Sequence, residues 1–302
     1  MTTAFVLSGA GNRGPLEVGA LSALLEKGIR PDLIVGTSAG AINALYLAAH
    51  GADDPAITDQ MAALWRQADA DSIYPGNPVS VAWRFATRAD SLYSSDGIRR
   101  LIVSALPPGV TMFGQLKIPL YTTATDLISS RLFLFGDDPS APLVIAALAS
   151  ASVPVIHPPV IYNELQLVDG GVVANVPASV AMNKGATEIY AINAGYGGAK
   201  AAHADGILDI VSHTLNTFIA QSFLVDLARA EADPKINLHH IHVEAFRELS
   251  LRDFSKTQEM VRYGKQKTVE YLAAPAPRGL EPASAPQASV VGGAHEIFLS
   301  YQ

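Results

Sequence analysis

Residues 3–14, TAFVLSGAGNRG, and residues 33–40, LIVGTSAG, decide the fold of this chain. Each segment starts with a short apolar run, which is typical of a buried strand, and ends in a turn rich in glycine. Pro15 suits the first position of a helix that Gly28 ends, and a second helix is predicted over residues 39–49. The chain therefore begins with strand, helix, strand and helix, which indicates an α/β fold.

The later sequence continues this alternation. Because parallel strands are joined by helices that cover both faces of their sheet, we predict a three-layer α/β/α architecture with a largely parallel central sheet. This domain is expected to span residues 1–272, and residues 273–302 are expected to form a Pro/Ala-rich linker and a C-terminal tail. Further strands are predicted at residues 120–124, 132–135, 160–168, 189–193 and 238–243.

Composition excludes several classes of function. The formal net charge is −7 and no run of Lys or Arg occurs, so no nucleic-acid partner is expected. Because the chain contains no Cys, disulfides, thiolate zinc sites and a cysteine nucleophile are excluded.

Neither a secretory signal nor a membrane-spanning helix is predicted. The first residues lack a basic stretch, and the apolar stretches 144–155 and 207–227 are interrupted by Pro154 and by polar side chains such as His213. We therefore expect a cytoplasmic protein, either in solution or peripheral at a membrane surface. Residues 76–95 and 207–227 are the candidates for membrane contact, and packing into the core is the favoured interpretation of the second.

The motif Gly36-Thr37-Ser38-Ala39-Gly40 follows an apolar strand and opens a helix. A serine in such a sharp turn needs small neighbours, because bulky ones would clash where the backbone reverses and would cover the hydroxyl. The start of the helix adds partial positive charge beside the oxygen of Ser38. This setting indicates a nucleophile elbow, although glycines and a serine also close ordinary tight turns.

A second motif, Asp169-Gly170-Gly171, follows the apolar run 165–168. Two glycines allow close approach to another backbone, and a strand end holds the carboxylate rigidly, as a general base requires. Taken alone, the motif is better explained by an ordinary hairpin turn.

A third motif, residues 8–14, places a glycine-rich turn before a helix, where backbone N–H groups can bind a phosphate or an oxyanion. Gly9, Gly11 and Gly14 also match the dinucleotide fingerprint, which would indicate a nucleotide-binding oxidoreductase. That fingerprint requires an acidic residue at the end of the second strand. Asp32 lies instead at the start of that strand, at the opposite edge of the sheet, which argues against the alternative.

The histidines do not suggest a catalytic triad or a metal site. The α/β-hydrolase fold places several strands before its elbow and a histidine late in the chain, whereas one strand and one helix precede Ser38. His157 lies in a proline-rich turn. Along the predicted strand, alternation sends His240 and His242 to one face and His239 to the other, so no metal is predicted. No cofactor is predicted either.

The three motifs, in this order and spacing, resemble the patatin-like phospholipase family. The resemblance covers about residues 3–272, and the joint pattern is far more specific than any one motif. It includes four further segments, which are Ala124-Thr125-Asp126-Leu127, the small-residue stretch 149–154 before Pro158-Pro159, Asn175-Val176-Pro177 and Asp253-Phe254-Ser255.

The resemblance implies a patatin-like fold and a catalytic dyad. In it Ser38 attacks an ester carbonyl, Asp169 accepts the serine proton and later activates water, and the backbone N–H groups of Gly9, Ala10 and Gly11 hold the oxyanion. Ala10 departs from the family pattern, in which a third glycine is usual, and Asn12 stands where a small residue is common. The alanine at position 10 is harmless if its φ is negative. The supporting motif positions are Arg13, Gly14, Gly36, Gly40, Gly170 and Gly171.

A carboxylate that acts without histidine must be poorly solvated and must contact the serine directly. We therefore predict that Ser38 Oγ and the Asp169 carboxylate lie about 2.6 to 3.2 Å apart in a largely apolar pocket. The implied substrates are acyl esters of phospholipids or lysophospholipids. An acylglycerol lipase or a thioesterase on the same dyad remains an alternative, as does a catalytically silent scaffold.

Overall fold

The computed structural model describes residues 1–76, 78–87, 89–195, 205–274, 287–290 and 297–300. Its strands are β1 (Thr3–Leu7), β2 (Leu33–Gly36), β3 (Leu120–Asp126), β4 (Arg131–Phe135), β5 (Val160–Tyr162), β6 (Leu165–Asp169), β7 (Glu188–Asn193), β8 (Asn237–His242), β9 (Gln287–Val290) and β10 (Ile297–Ser300). Its α-helices are α1 (Gly14–Glu26), α2 (Ala39–His50), α3 (Ile57–Arg66), α4 (Ala70–Ile73), α5 (Pro78–Ala86), α6 (Asp96–Ser104), α7 (Leu143–Ser150), α8 (Gly171–Ala174), α9 (Ala178–Asn183), α10 (Ile207–Ala232) and α11 (Thr257–Ala273).

The central sheet has the strand order β5-β6-β3-β2-β1-β7-β8, with β4 paired to β3 off this path. Strands β1, β2, β3, β7 and β8 are parallel. Strands β4 and β6 run antiparallel to β3. The prediction of a largely parallel sheet is therefore confirmed, with the antiparallel strands confined to one side.

Both faces of this sheet are buried. Phe5 and Leu7 of β1 belong to one apolar cluster, whereas Ala4 and Val6 belong to another. Because successive side chains of a strand point to opposite faces, the two clusters lie on opposite sides of the sheet. The three-layer α/β/α prediction is thus confirmed.

The carboxyl ends of β2 and β6 meet on the same edge of β3. Thr122 of β3 pairs with Gly36 of β2, and Ala124 pairs with Asp169 of β6. Strand β4 occupies the other edge of β3 at both positions. Since β2 runs parallel and β6 antiparallel to β3, their ends point toward each other, which brings the elbow and the aspartate together.

The structure differs from the prediction in one strand, and it describes only part of the predicted linker and tail. The single strand predicted at residues 160–168 is wrong, because Asn163 and Glu164 have φ values of 47° and 67° and form a turn that splits it into the β5–β6 hairpin. Most of the predicted linker, residues 275–286, lies outside the described residues. In the tail, β9 and β10 pair antiparallel.

Helices α1 and α11 pack closely enough to exclude side chains at their crossing. A Cβ on Gly19 would lie 2.0 Å from the Val261 carbonyl oxygen, and one on Gly264 would lie 2.0 Å from that of Leu16. This packing anchors the segment before α11 above the glycine-rich turn. There the Asn12 amide donates to the carbonyls of Ser250 and Asp253, at 2.9 and 2.7 Å.

Candidate active site

Ser38 lies in a strained turn between β2 and α2, with φ 54° and ψ −121°. Non-glycine residues rarely adopt a positive φ, and at functional sites such strain is held by the surrounding structure. A Cβ on Gly36 would lie 2.7 Å from the Ala41 Cα, and one on Gly40 would lie 2.5 Å from the Ser8 carbonyl oxygen. Both glycines of the motif are therefore required by close packing.

The end of α7 connects the elbow to the Asp169 motif. The Ser38 N–H donates to the Ser150 hydroxyl oxygen at 2.8 Å. The carbonyl of Ser150 accepts from Gly170 N at 3.4 Å, and that of Ser152 accepts from Asp169 N at 2.9 Å. Ser150 thus holds both motifs in one frame.

The main chain on either side of Asp169 is fixed by β3. The Thr125 hydroxyl donates to the Asp169 carbonyl at 2.9 Å. A Cβ on Gly170 would lie 2.5 Å from the Thr123 carbonyl oxygen, so the motif approaches a neighbouring backbone as predicted. The side chain is oriented by Gly171, whose N–H donates to Asp169 Oδ1 at 2.7 Å.

The Asp169 carboxyl is buried, which raises its pKa to about 7, while the nearby Ser38 side chain and the hydrogen bond from Gly171 oppose the increase. Its second oxygen, Oδ2, has no hydrogen-bond partner among the described residues. The predicted hydrogen bond from Ser38 Oγ is therefore not formed at this oxygen. Such bonds between nucleophile and base are often long or poorly aligned before substrate binds.

The three residues of the glycine-rich turn that were predicted to hold an oxyanion, Gly9, Ala10 and Gly11, differ in their bonds and backbone angles. The Gly9 N–H donates to the Asn175 carbonyl at 3.1 Å, so in this structure it is bonded within the protein. Ala10 has φ −143°, which any residue can adopt, and this departure from the family pattern carries no strain. Gly11 has φ +57° and needs glycine.

Behind the turn lies a buried polar network centred on Glu17. The Ser8 hydroxyl and the Asn43 amide donate to its two carboxyl oxygens at 3.0 and 2.9 Å. Burial raises the pKa of Glu17 to about 8. Asn43 also accepts from the Trp65 indole N–H at 2.8 Å, and Trp65 fills the space over Gly14, where a Cβ would lie 2.2 Å from its ring.

Beside Ser38 is a largely apolar cleft with an empty volume of about 600 Å³ including its mouth. Its walls come from the glycine-rich turn, α2, α3, the end of α4, α6, the segment after α7 and the segment before α11. Arg13 is buried and lies outside this wall, so the structure gives it no place against a substrate. The residues that line the cleft include Ser38, Ile42, Tyr74, Leu101, His157 and Phe254.

Three residues near the site were not predicted to act there. Asn175 is buried, and its side-chain oxygen would lie 2.4 Å from a Cβ on Gly9 and 2.9 Å from one on Gly171. The hydroxyl of Ser150 supports the elbow. His157 lines the cleft, although its turn gave no triad signal. The small and polar residues of segments 149–154 and 175–177 were the only sequence signal for the first two.

In the described part of the chain, no group of three or more metal-ligating side chains could hold an ion. His240 and His242 stack on one another, whereas His239 stacks on Tyr190. Among the described helices, none has the length and apolar character needed to cross a membrane.

The chain is similar in sequence to proteins from animals, fungi and bacteria. Mouse (Mus musculus) patatin-like phospholipase domain-containing protein 6 is 29% identical over 196 residues, which are 64% of this chain and 14% of that protein. Lysophospholipase NTE1 of Mycosarcoma maydis is 27% identical over 201 residues, 65% of this chain and 10% of that protein. YqhO of Bacillus subtilis is 31% identical over 196 residues, 57% of this chain and 64% of that protein.

This chain thus spans less than two thirds of the length of each of these relatives. Among solved structures, VipD from Legionella pneumophila matches with a TM-score of 0.49 at 13% identity, covering 90% of this chain and 67% of that one. The profile of the family described as "Patatin-like phospholipase" matches residues 5–182. The chain belongs to the patatin-like phospholipase family.

Proposed function

We propose that this chain hydrolyses fatty-acyl esters of phospholipids or lysophospholipids, with Ser38 as nucleophile and Asp169 as its general base. The observation that supports this most is the buried Asp169 carboxyl, with a pKa raised to about 7 and an Oδ2 that has no partner among the described residues. A general base works best when its pKa lies near the operating pH. The strained elbow keeps the Ser38 hydroxyl beside this carboxyl.

The first half of the reaction forms an acyl-enzyme. Asp169 Oδ2 takes the proton of Ser38 Oγ as that oxygen attacks the ester carbonyl, and the carbonyl oxygen becomes an oxyanion. The N–H groups of Ala10 and Gly11 are the proposed donors to it, and the positive end of α2 lies on the same side. The tetrahedral intermediate collapses, and the leaving alcohol takes the proton from Asp169.

The second half releases the fatty acid. Asp169, again ionised, accepts a proton from water as the water oxygen attacks the acyl carbonyl. The new intermediate collapses, Ser38 Oγ leaves and regains its proton from Asp169, and the carboxylic acid departs. The apolar cleft suits the acyl chain, because Ile42 and Leu101 offer its wall no hydrogen-bonding group.

Helix α5 is the proposed point of contact with a lipid surface. Val79 and Trp83 are 77% and 65% exposed on it. The chain that follows α5 packs on the cleft, because Leu92 and Tyr93 donate backbone hydrogen bonds to Val155 and Ile156 at 2.8 and 2.9 Å.

A Trp83→Ser variant should bind anionic or zwitterionic vesicles less tightly in a flotation assay. Val269→Ser, at an exposed position of α11, is the control, and equal binding by both variants would remove α5 from the proposal.

The test of the proposed chemistry is the release of fatty acid from a panel of substrates by the wild type and three variants. The panel contains a diacyl phospholipid, a lysophospholipid, a monoacylglycerol, an acyl thioester and a p-nitrophenyl ester. Ser38→Ala and Asp169→Asn should each lower kcat by at least about 10³-fold, as loss of a nucleophile or its base does in related chemistry. Asp226→Asn replaces a buried aspartate on α10 and should retain activity.

We expect the wild type and Asp226→Asn to cleave the phospholipid or the lysophospholipid, and we expect Ser38→Ala and Asp169→Asn to lose this activity. A preference for the monoacylglycerol or the thioester would change the proposed substrate class but not the proposed dyad. Full activity of either dyad variant, or no cleavage of any ester by the folded wild type, would overturn the proposal.

A further inference from the structure

His157 is a buried histidine in the wall of the cleft that also contains Ser38. Its exposed fraction is 2%, and its ring stacks on Tyr74 with centroids 5.6 Å apart. Two other polar residues of the wall, Trp65 and Asn12, are already bonded to protein atoms. Trp65 donates to Asn43, and the Asn12 amide donates to two backbone carbonyls.

The hydrogen bonds of His157 define its tautomer. Nδ1 lies 3.3 Å from the carbonyl oxygen of Ser94, which can only accept, so Nδ1 carries the proton. Burial lowers the pKa of the ring to about 4, and the imidazole is therefore neutral at pH 7. In that state Nε2 has a lone pair and no proton. It has no hydrogen-bond partner among the described residues.

We propose that His157 Nε2 accepts a hydrogen bond from a hydroxyl group of the substrate, so that the site selects esters that carry a free hydroxyl. This inference rests on the proposed function, because it needs an ester bound in the cleft for attack by Ser38. A hydroxyl can donate to the lone pair, whereas an ester, ether or phosphate oxygen can only accept. Sites with a buried polar group discriminate strongly against analogues that leave this group unpaired.

The hydroxyl can come from either side of the scissile bond. On the alcohol side it is the free glycerol hydroxyl of a monoacyl lipid. On the acyl side it is a hydroxyl carried by the fatty-acyl chain. Two matched pairs of substrates separate these sources: a lysophospholipid with its glycerol O-methyl ether, and a hydroxy-acyl p-nitrophenyl ester with its unsubstituted counterpart.

The experiment measures the ratio of kcat/KM within each pair. The wild type should favour the hydroxyl-bearing member of one pair by about tenfold or more. His157→Phe keeps a ring to stack on Tyr74 and lacks an acceptor, so its ratio should fall to near 1. His157→Gln restores an acceptor oxygen and should recover part of the ratio. His240→Phe replaces another neutral histidine, which lies outside the cleft wall, and should keep the wild-type ratio.

Equal ratios in the wild type and His157→Phe for both pairs would overturn the inference. That result leaves the proposed function intact if Ser38→Ala is inactive, and the two failures are thus distinguishable. A second measurement does not depend on the folding of a His157 variant. In ¹⁵N-histidine-labelled Ser38→Ala, the Nε2 resonance should shift on addition of the hydroxyl ester and not of its ether. No shift with either hydroxyl-bearing substrate would also overturn it.

Discussion

The backbone N–H of Ser38 donates a 2.8 Å hydrogen bond to the hydroxyl oxygen of Ser150 at the end of α7. A residue with φ 54° and ψ −121° pays for its conformation in strain of about 1 to 3 kcal/mol, so the contacts that hold it matter. The side chain of Ser152, two residues later, is equally buried, but its hydroxyl makes a different hydrogen bond. Its hydroxyl donates to the Leu148 carbonyl, which Ala151 N also contacts at 3.2 Å.

Ser150→Ala should therefore be more damaging than Ser152→Ala. Removal of the Ser150 hydroxyl leaves the buried Ser38 N–H without its acceptor, which costs about 1 to 3 kcal/mol. Movement of the elbow should also lower kcat/KM by roughly tenfold or more. Ser152→Ala leaves the Leu148 carbonyl bonded. Urea denaturation and initial rates on a p-nitrophenyl ester measure both effects, and matching values for the two variants would show that Ser150 does not support the elbow.

The glycine-rich turn gives a second matched pair. A Cβ on Gly9 would lie 2.4 Å from Asn175 Oδ1 and 3.3 Å from Ser38 Cβ, so Gly9→Ala should shift the turn and lower activity at least about tenfold. Ala10→Gly keeps the proposed N–H donor at a φ open to both residues. It should retain activity within a few-fold and lose about 0.4 to 1 kcal/mol of stability through the freer unfolded chain. A fully active Gly9→Ala would contradict this arrangement of the turn.

The succession of strands and helices along the chain and the approximate positions of the motifs could be predicted because they depend on local patterns. An apolar run that ends in glycine marks β1 and β2, and the G-x-S-x-G spacing marks the elbow between β2 and α2. The β5–β6 hairpin was missed because its turn, Asn163-Glu164, contains neither glycine nor proline. Two apolar runs joined by such a turn read as one strand.

Hydrogen-bond partners across the fold could not be predicted. The sequence offers three N–H groups in the turn and gives no sign that Gly9 donates to Asn175, which is 166 positions away. The same holds for His157, whose Pro-rich surroundings predict a turn without indicating which cavity the turn faces. Pairings of this kind follow from the register of β3 with β2 and β6, which periodicity does not determine.

Hydrolysis should depend on pH through Asp169. Its pKa is raised to about 7, and the ionised carboxylate is the form that accepts the Ser38 proton. Activity is therefore lost as pH falls below about 7, by up to tenfold per pH unit, and levels off above it. The measurement is kcat/KM between pH 5 and 9 on an ester with no ionisable group. A flat profile, or one that falls as pH rises through 7, would contradict the role of Asp169.

Glu17 should make stability depend on pH. Its pKa is raised from 4.5 to about 8 in the folded state. Below about pH 4.5 the carboxyl is protonated in both the folded and the unfolded protein. Between about pH 4.5 and pH 8 it is protonated in the folded protein only. Stability contributed by the protonated carboxyl is thus lost as pH rises from about 4.5 to about 8, by up to about 1.4 kcal/mol per pH unit. The loss is complete above the folded pKa.

Glu17→Gln mimics the protonated carboxyl and cannot ionise. Its oxygen can accept from Asn43 as Glu17 does, and its amide can donate to the Ser8 oxygen, so both contacts are kept although the direction of the Ser8 bond is reversed. The free energy of unfolding of the variant minus that of the wild type should grow between pH 5 and pH 8. Urea denaturation at three pH values measures it, and a difference that does not change with pH would argue against a neutral Glu17.

The central claim is that Ser38 is a nucleophile activated by Asp169, and covalent labelling tests it most directly. A long-chain alkyl fluorophosphonate reacts with an activated serine, whose oxygen bonds to phosphorus as fluoride leaves and the serine proton passes to the base. Peptide mass spectrometry should find one adduct on the peptide that contains Ser38, no adduct in Ser38→Ala and much slower labelling in Asp169→Asn. Labelling that persists in Ser38→Ala, or that proceeds at the wild-type rate in Asp169→Asn, would contradict the account.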